Sequence, residues 1–532
     1  MNDDDRMRAA RFQFGGLDLP TQVEAWARGR GEHPFLLWEP RSGRHRIWTY
    51  AAFDREVRSI AAGLARHGIG VGDRVLIHSD NCPEMVFAWY ACAAVGAMAV
   101  TTNTGSVANE MQYFARQARP RAAITQPRHA RLVQENAPGL DWMAVTADNG
   151  GEEPAGAECN HAGMAFEELL GDPDLAPRRA PDPMLPAGIV YTSGTTSRPK
   201  AVVHTHANLL WAGRIGPATL NFTGADTHMA YMPFFHTNAQ LWSTAVALGV
   251  GGSVLLLPQV TVSRFWDVVA KHGVTHMSLM PLVERGVAEI PVPAGQRLKV
   301  VQGGIAPVEF ARRCGARPMA AYGMSETVIH TIRTDVWRDW PPYALGRPTP
   351  GYEVRLVDAQ RDAGCGIDEP GEIQVRGIRG MHLFLEYYDN PEANAQAFTA
   401  DGWFRTGDIA RLGADGLFYY QDRDKDRLKV GGENLSASEV EAEILQVPGV
   451  VEAAVVGRSD PMLDVVPVAF VIRGAAAPDE AALRAAIFAR CGERLSKFKR
   501  PRAVHFLDEF PRALLGKVAK NRLRELAEQA GH

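Results

Sequence analysis

The sequence predicts a multi-domain α/β protein, and three observations carry that prediction. The chain has 532 residues, too many for one core, so two or more domains follow. Short apolar runs alternate with longer runs near helical spacing across residues 20–180, and the alternation resumes after residue 206. That pattern is the signature of a parallel sheet covered by helices. From about Gly351 the texture changes to short β runs between glycines and charges, which suggests a small β subdomain or barrel. The tail from Leu428 then reads as an αβ unit of its own.

Taken in order, a helix is predicted over 55–67, a strand over 74–78, a buried helix over 84–95, and strands over 97–101 and 122–124. Residues 149–154 and 171–186 are polar or proline-rich and read as surface loops. Strands follow at 254–257, 276–280, 298–302 and 319–321, with a helix at 264–272 among them. Short β runs are expected at 353–357, 372–376 and 416–420. Six consecutive charges at 422–427 make a linker candidate. In the tail, Ser438 and Glu441 suggest a capping box for a helix through Gln446. Strands at 452–456, 468–472 and 503–507 and helices at 481–493 and 521–529 complete it.

Composition narrows the function classes. Hydrophobic content is 46% and charged content 22%, ordinary for a globular chain. Net charge is -4 with a pI near 6.5, and nothing in that balance suggests nucleic-acid or membrane-surface binding. Six scattered cysteines without a CxxC pair argue against a disulfide framework or zinc site, and a reducing cytoplasm is the expected setting. No apolar run follows Met1–Arg6, so no signal peptide is expected. Met229–Ser263 carries no Asp, Glu, Lys or Arg. Pro233, Gly249, Gly251, Gly252 and Pro258 interrupt it, so a helix near 240–248, a glycine turn and a buried strand at 253–257 are expected rather than a membrane span.

The chemistry starts at Ile189–His206. Apolar Ile189-Val190-Tyr191 reads as a buried strand and Ala201-Val202-Val203 as a second one. Between them stand small hydroxyls, Gly194, Arg198 and Lys200. Such a loop suits polyphosphate, because glycine lets backbone N–H groups converge, hydroxyls donate to phosphate oxygens and lysine supplies charge. A surface hairpin with polar turn residues is the plain alternative. A P-loop is excluded. It needs Gly-Lys-Ser/Thr after four residues, whereas Gly194 is followed four residues on by Pro199-Lys200-Ala201.

Other motifs fall at predicted strand ends, where α/β proteins place ligands: Met232-Pro-Phe-Phe-His236, Gly303-Gly-Ile-Ala-Pro307 and Tyr322-Gly-Met-Ser-Glu326-Thr327. With Tyr191–His206, Gly371–Gly377, Gly402–Asp408, Asp422–Glu441 and Pro511–Arg522 they resemble, in order along nearly the whole chain, the adenylate-forming superfamily of acyl-CoA synthetases, luciferases and peptide-synthetase adenylation domains. The resemblance implies an N-terminal adenylation domain at 1–422, a hinge at 423–427 and a small mobile C-terminal domain at 428–532. It also implies a two-step reaction. A carboxylate attacks the α-phosphorus of ATP and pyrophosphate leaves; a thiol then attacks the acyl-adenylate and AMP leaves.

Each residue role below is what the resemblance implies. Thr192, Ser193, Gly194, Thr195, Thr196 and Lys200 hold the β- and γ-phosphates. Glu326 holds Mg²⁺, a hard cation suited to carboxylate and phosphate oxygen. Ser325 donates to the α-phosphate. Gly303, Gly304, Tyr322, Gly323 and Met324 surround the adenine and α-phosphate end. Asp408 accepts from the ribose hydroxyls, with Arg423 nearby. Lys517, from the terminal motif, bridges the substrate carboxylate and α-phosphate in the adenylation transition state. Lys517, Ser325 and His236 are the catalytic candidates. Lys425 sits at the hinge position. After rotation Gly431 and Gly432 let pantetheine pass, and Lys497, Lys499 and Arg500 are candidates for the phosphates of coenzyme A, an ordinary solvated face being the alternative.

The acid pocket is expected from Phe235, His236, Asn238, Met280, Gly303, Gly323, Met324 and Val328. Acetate-specific relatives carry tryptophan at the position of Gly323, so an acid larger than acetate is expected. No Asp or Glu lies in Met232–Thr244 to pair an α-ammonium, which disfavours an amino acid. The segment Met232–Leu248 resembles crotonobetaine/carnitine–CoA ligase relatives, and a bulky aromatic or alicyclic acid is equally allowed. Ser197 and Ala201 replace glycines usual in the phosphate loop. A left-handed backbone at either would cost about 1 kcal/mol. ATP, Mg²⁺ and coenzyme A are the expected cofactor and co-substrates. A homodimer, and a carrier protein or partner enzyme as acyl acceptor, remain open.

Overall fold

In a computed structural model, two large sheets carry the alternation that the sequence predicts. The structure describes residues 12–192, 199–358, 361–423, 427–430, 433–460, 463–495, 499–512 and 518–530. The chain divides into two compact units, Met1–Glu353 with Val375–Phe404, and Val354–Gln374 with Arg405–His532.

In the first unit, strands Arg74–His78, Met98–Thr101, Ala122–Thr125, Trp142–Val145 and Pro186–Thr192 lie parallel in one sheet. Lys200–Thr205 turns back antiparallel on Pro186–Thr192, and Glu386–Tyr387 adds to its outer edge. The second sheet runs parallel through Pro34–Trp38, Ser253–Leu256, Thr227–Ala230, His276–Ser278, Val300–Gly303 and Arg317–Tyr322. Both faces of a parallel sheet need cover, and that explains the helices. Tyr50–Arg66 buries Tyr50, Phe53, Val57, Ile60 and Leu64, a stripe at helical spacing, and the Thr49 hydroxyl caps it by accepting from Ala52 N–H at 3.3 Å. Pro83–Val95 is buried all round, opens on a proline and stops at Gly96, whose φ of 83° favours glycine.

The charge-free Met229–Ser263 stretch resolves as expected, with one difference. Its helix is a π-helix over Asn238–Ala245 followed by a short α-helix over Val246–Val250. The Thr244 hydroxyl donates to Ala239 O at 2.8 Å, five residues back. π-turns of this kind occur mostly at functional sites. Two glycines seat the helix: a Cβ on Gly249 would lie 1.8 Å from Gly213 O, so the two backbones meet with no side chain between them. Among the described residues no helix is long and apolar enough to cross a membrane.

In the second unit, Glu353–Asp358, Ala363–Gly364, Pro370–Arg376, Phe404–Leu412 and Phe418–Arg423 supply an antiparallel β run. The tail builds its own sheet from Arg427–Val430, Glu433–Ser436, Val450–Asp460, Asp464–Arg473 and Ala503–Phe506. Helix Ala437–Ile444 covers it, with Val440, Ile444, Leu483 and Ile487 in one buried cluster. This helix corrects the expected capping box. It begins at Ala437, so Ser438 lies inside it rather than at its cap, and it ends before Gln446. The Glu441 carboxylate is taken by other partners, Val455 N–H at 2.7 Å and the Lys520 ammonium at 2.9 Å.

Candidate active site

The segment after strand Arg317–Tyr322 is where the predicted residues converge. Ser325, Glu326 and Thr327 form a single 3₁₀ turn, and Glu326 is almost wholly buried. Thr237, at the mouth of the π-helix, already has helical backbone and makes no cap; its hydroxyl donates to Ser325 Oγ at 2.8 Å. Accepting that bond leaves the Ser325 hydrogen available for an incoming oxygen. His204, on the hairpin strand Lys200–Thr205, donates its Nε2 hydrogen to Ser325 O at 2.7 Å. The carbonyl can only accept, which fixes the tautomer. Burial holds the imidazole at a pKa of about 4, so it is neutral at working pH.

Glu326 joins the phosphate hairpin through Tyr387. The Tyr387 hydroxyl donates to Glu326 Oε1 at 3.0 Å. Burial and the adjacent carboxylate push this phenol well above its ordinary range, so it stays a donor. The Lys200 ammonium lies 4.7 Å from the centre of the same ring, a cation–π contact. Lys200 and Tyr387 meet because Tyr387 pairs with Val202 across the strand ladder. Among the described residues no group of three or more His, Cys, Asp or Glu could hold a metal ion. One buried carboxylate fits a Mg²⁺ that arrives with a polyphosphate, since that ion is commonly held by one or two carboxylates, water and phosphate.

Among the residues expected to line an acid pocket, Asn238 enters a polar chain. Asn238 Nδ2 donates to Ser278 Oγ at 3.0 Å, and Gln302 Nε2 donates to the same oxygen at 2.8 Å. Phe235 and His236 have ring centres 4.6 Å apart. Met280 N–H donates to the Tyr231 hydroxyl at 3.0 Å. Tyr322 ends its strand and its carbonyl accepts from Thr331 N–H at 2.8 Å. Met324 N–H donates to Thr327 Oγ1 at 3.0 Å. Gly304 faces open space, whereas a Cβ on Gly303 would lie 2.5 Å from Ile305 O.

Two expectations need correction. The space beside Gly323 is not open: a Cβ there would lie 2.9 Å from Ile329 O and 3.2 Å from His330 Cα. The glycine serves close backbone approach, and the size of the acid cannot be read from it. Ala201 carries no left-handed strain. It is a buried strand residue opposite Tyr191. Lys499 and Arg500, candidates for the phosphates of coenzyme A, have partners within the second unit. Lys499 pairs with both oxygens of Glu439 at 2.7 Å, and Arg500 Nε donates to Leu495 O at 2.9 Å.

Asp408 belongs to the second unit. It is buried, its N–H donates to Thr406 Oγ1 at 3.1 Å, and it stands opposite Arg423 in the strand ladder. Ser193, Gly194, Thr195, Thr196, Ser197, Lys425, Gly431, Gly432, Lys497 and Lys517 lie outside the described residues, as does the side chain of Arg423. The Thr192 hydroxyl lies 3.5 Å from Lys200 O at the hairpin mouth. Sequence reasoning overlooked His204, Thr237 and Tyr387. Each left a faint signal: a histidine inside an apolar strand, a hydroxyl one residue past Met232–His236, and a tyrosine in a short β run before Asn390-Pro391.

Burial of neutral histidines here makes stability depend on pH. His204 and His276 sit at about 4, and His228 and His330 at about 3, all below the ordinary 6.5. The unfolded chain therefore binds more protons between those values and 6.5. The stability these groups contribute is present above pH 6.5 and is lost as pH falls through their folded values. Urea midpoints are expected to drop below pH 6.5. His204→Gln, which keeps a donor for Ser325 O, should flatten that slope by up to about 1.4 kcal/mol per pH unit. An unchanged slope would exclude His204 from this effect.

The chain matches the family model for AMP-binding enzymes over residues 23–388 and that for the AMP-binding enzyme C-terminal domain over 439–517. Among curated proteins it is 32% identical over 525 residues to the crotonobetaine/carnitine–CoA ligase of Salmonella enteritidis PT4, covering 96% of this chain and 99% of that one. It is 30% identical, with the same coverage, to the enzyme of that name from Citrobacter koseri. Its fold is similar to ATP-bound MatB from Rhodopseudomonas palustris, with TM-score 0.83, 25% identity, and coverage of 97% of this chain and 100% of that one. A benzoate CoA ligase from Burkholderia xenovorans shares the fold at TM-score 0.83 and 23% identity, with 96% and 100% covered. The hairpin lysine, the buried Glu326 and the Ser325 turn thus lie in a chain matched along nearly its whole length, and the chain belongs to the family of AMP-binding enzymes.

Proposed function

We propose that the chain is an ATP- and Mg²⁺-dependent carboxylic acid–CoA ligase that works through an acyl-adenylate. The observation that carries this reading is the run Lys200–Tyr387–Glu326, with Ser325 beside it. It gathers a cation, a carboxylate suited to a hard metal and a hydroxyl donor around the buried Glu326 and Tyr387. Both reactants of the first step are anions, so charge neutralisation and alignment are what a site must supply. Lys200 and the hairpin take the terminal phosphates, and Ser325 steadies the α-phosphate with its free hydrogen. Glu326 would hold Mg²⁺, which would supply further neutralisation of the phosphates. A carboxylate oxygen bonds to the α-phosphorus as the bond to pyrophosphate breaks. A thiolate sulfur then bonds to the carbonyl carbon and AMP leaves with its oxygen.

The helix Asn238–Ala245 and strands His276–Ser278 and Val300–Gly303 form the acid's surroundings in this reading. Asn238, Ser278 and Gln302 form a neutral hydrogen-bonded cluster on them, which suits an acid without an α-ammonium. An acid larger than acetate is proposed on the relatives' named substrates rather than on Gly323. Lys517 serves adenylation from the C-terminal domain 428–532, which turns about the 423–427 hinge. Six free cysteines suit a reducing, cytoplasmic setting.

Pyrophosphate exchange across a panel of acids tests the proposal, repeated as AMP release with and without CoA. Exchange with at least one acid and CoA-stimulated AMP release are expected. Absence of exchange with every acid would sink the enzyme reading. Exchange without CoA stimulation would move the acceptor to a carrier protein or partner enzyme.

A further inference from the structure

Every backbone carbonyl from Ser325 to Val328 is held by a donor from elsewhere in the first unit. His204 Nε2 holds Ser325 O at 2.7 Å and Phe384 N–H holds Glu326 O at 2.8 Å. The Tyr352 hydroxyl holds Thr327 O at 2.8 Å and Trp242 Nε1 holds Val328 O at 2.9 Å. The segment ends in a strained conformation. Val328 has φ of 68° and ψ of −62°, and Ile329 N–H closes back on Thr327 O at 2.7 Å. This is the rare hand of γ-turn, adopted here by a buried β-branched residue. Such a conformation persists only where its surroundings over-determine it. Gly323 is part of that constraint, because the Ile329–His330 backbone lies against its Cα.

Trp242 is the donor that comes from the π-helix Asn238–Ala245. Its ring centre is 4.3 Å from that of His330, and its N–H reaches the strained residue itself. We propose that Trp242 is a positioning residue: its N–H holds Val328 in the γ-turn and so sets Ser325 and Glu326 for the nucleotide from the acid's side of the site. The proposal rests on the assignment of Glu326 to the metal–nucleotide end and of Asn238–Ala245 to the acid. It explains why a valine keeps a glycine-like backbone there.

The test is pyrophosphate exchange with Mg²⁺ and acid varied independently. Trp242→Phe keeps an aromatic ring beside His330, removes the N–H and is smaller than the indole, so the Val328→Gly rescue is what separates the lost hydrogen bond from lost packing. Saturated exchange is expected to fall about tenfold or more, with a raised Mg²⁺ requirement and an acid KM changed by less than about twofold. Adding Val328→Gly should restore most of the rate, because glycine adopts positive φ without being held. Tyr352→Phe releases the neighbouring carbonyl and should raise the Mg²⁺ requirement in the same way, which keeps the test open if Trp242→Phe fails to fold. A raised acid KM with an unchanged Mg²⁺ requirement in Trp242→Phe, or no rescue by Val328→Gly, would overturn the proposal and leave the function reading intact. If Glu326→Gln also left the Mg²⁺ requirement unchanged, the metal assignment would fall, and this proposal with it.

Discussion

Glu326→Gln should lower pyrophosphate exchange by about a hundredfold or more at a Mg²⁺ concentration that saturates the natural enzyme. The amide keeps the size of the side chain, and its oxygen can still accept from the Tyr387 hydroxyl, so the fold should survive with little change in Tm. What is lost is the negative charge. A hard divalent cation binds a neutral amide oxygen poorly, and the phosphates then lack their counter-charge where the leaving pyrophosphate develops. Raising Mg²⁺ should recover part of the rate. A Tyr387→Phe variant should lose less, because it removes one hydrogen bond to a charged group, about 1.5–3 kcal/mol at most. A Glu326→Gln enzyme with normal exchange would remove the carboxylate from the reaction.

Lys517→Ala is the second large effect. The variant should abolish adenylation while sparing thioester formation from preformed acyl-adenylate. Adenylation joins two anions, and an ammonium bridging carboxylate and α-phosphate acts where charge accumulates. Removing one such donor costs about a hundredfold or more. The thiol step starts from an adenylate already made and does not need that bridge. Supplying acyl-AMP and CoA directly, and following thioester, isolates it. Equal loss in both half-reactions would refute the role proposed for Lys517.

Most of the fold was legible because its signals are local. Strand 74–78 falls at its predicted residues, and the neighbouring elements fall within a few residues of theirs, because apolar runs bounded by turn residues mark their own ends. The capping box at Ser438 failed for a non-local reason. Glu441 finds a strand N–H and a lysine that only the folded tail brings to it. The π-helix was invisible for the same reason, since its sequence reads as an ordinary apolar helix and its hand-off to Ser325 depends on a distant segment. At the candidate site the motif residues stand out in the sequence, and the side chains that hold them in the fold do not. Tyr387, His204 and Trp242 act through partners 61, 121 and 86 residues away. Gly323 shows the opposite error. Its lack of a side chain suggested room for substrate, and the room is taken by backbone.

The central claim is that a carboxylate oxygen of the acid bonds to the α-phosphorus of ATP and leaves with AMP. The most direct test is a turnover with ATP, CoA and an acid labelled with ¹⁸O in its carboxyl group, followed by mass analysis of the nucleotide product. The account predicts AMP carrying one ¹⁸O per thioester formed. Unlabelled AMP, or ADP with the label in inorganic phosphate, would contradict it.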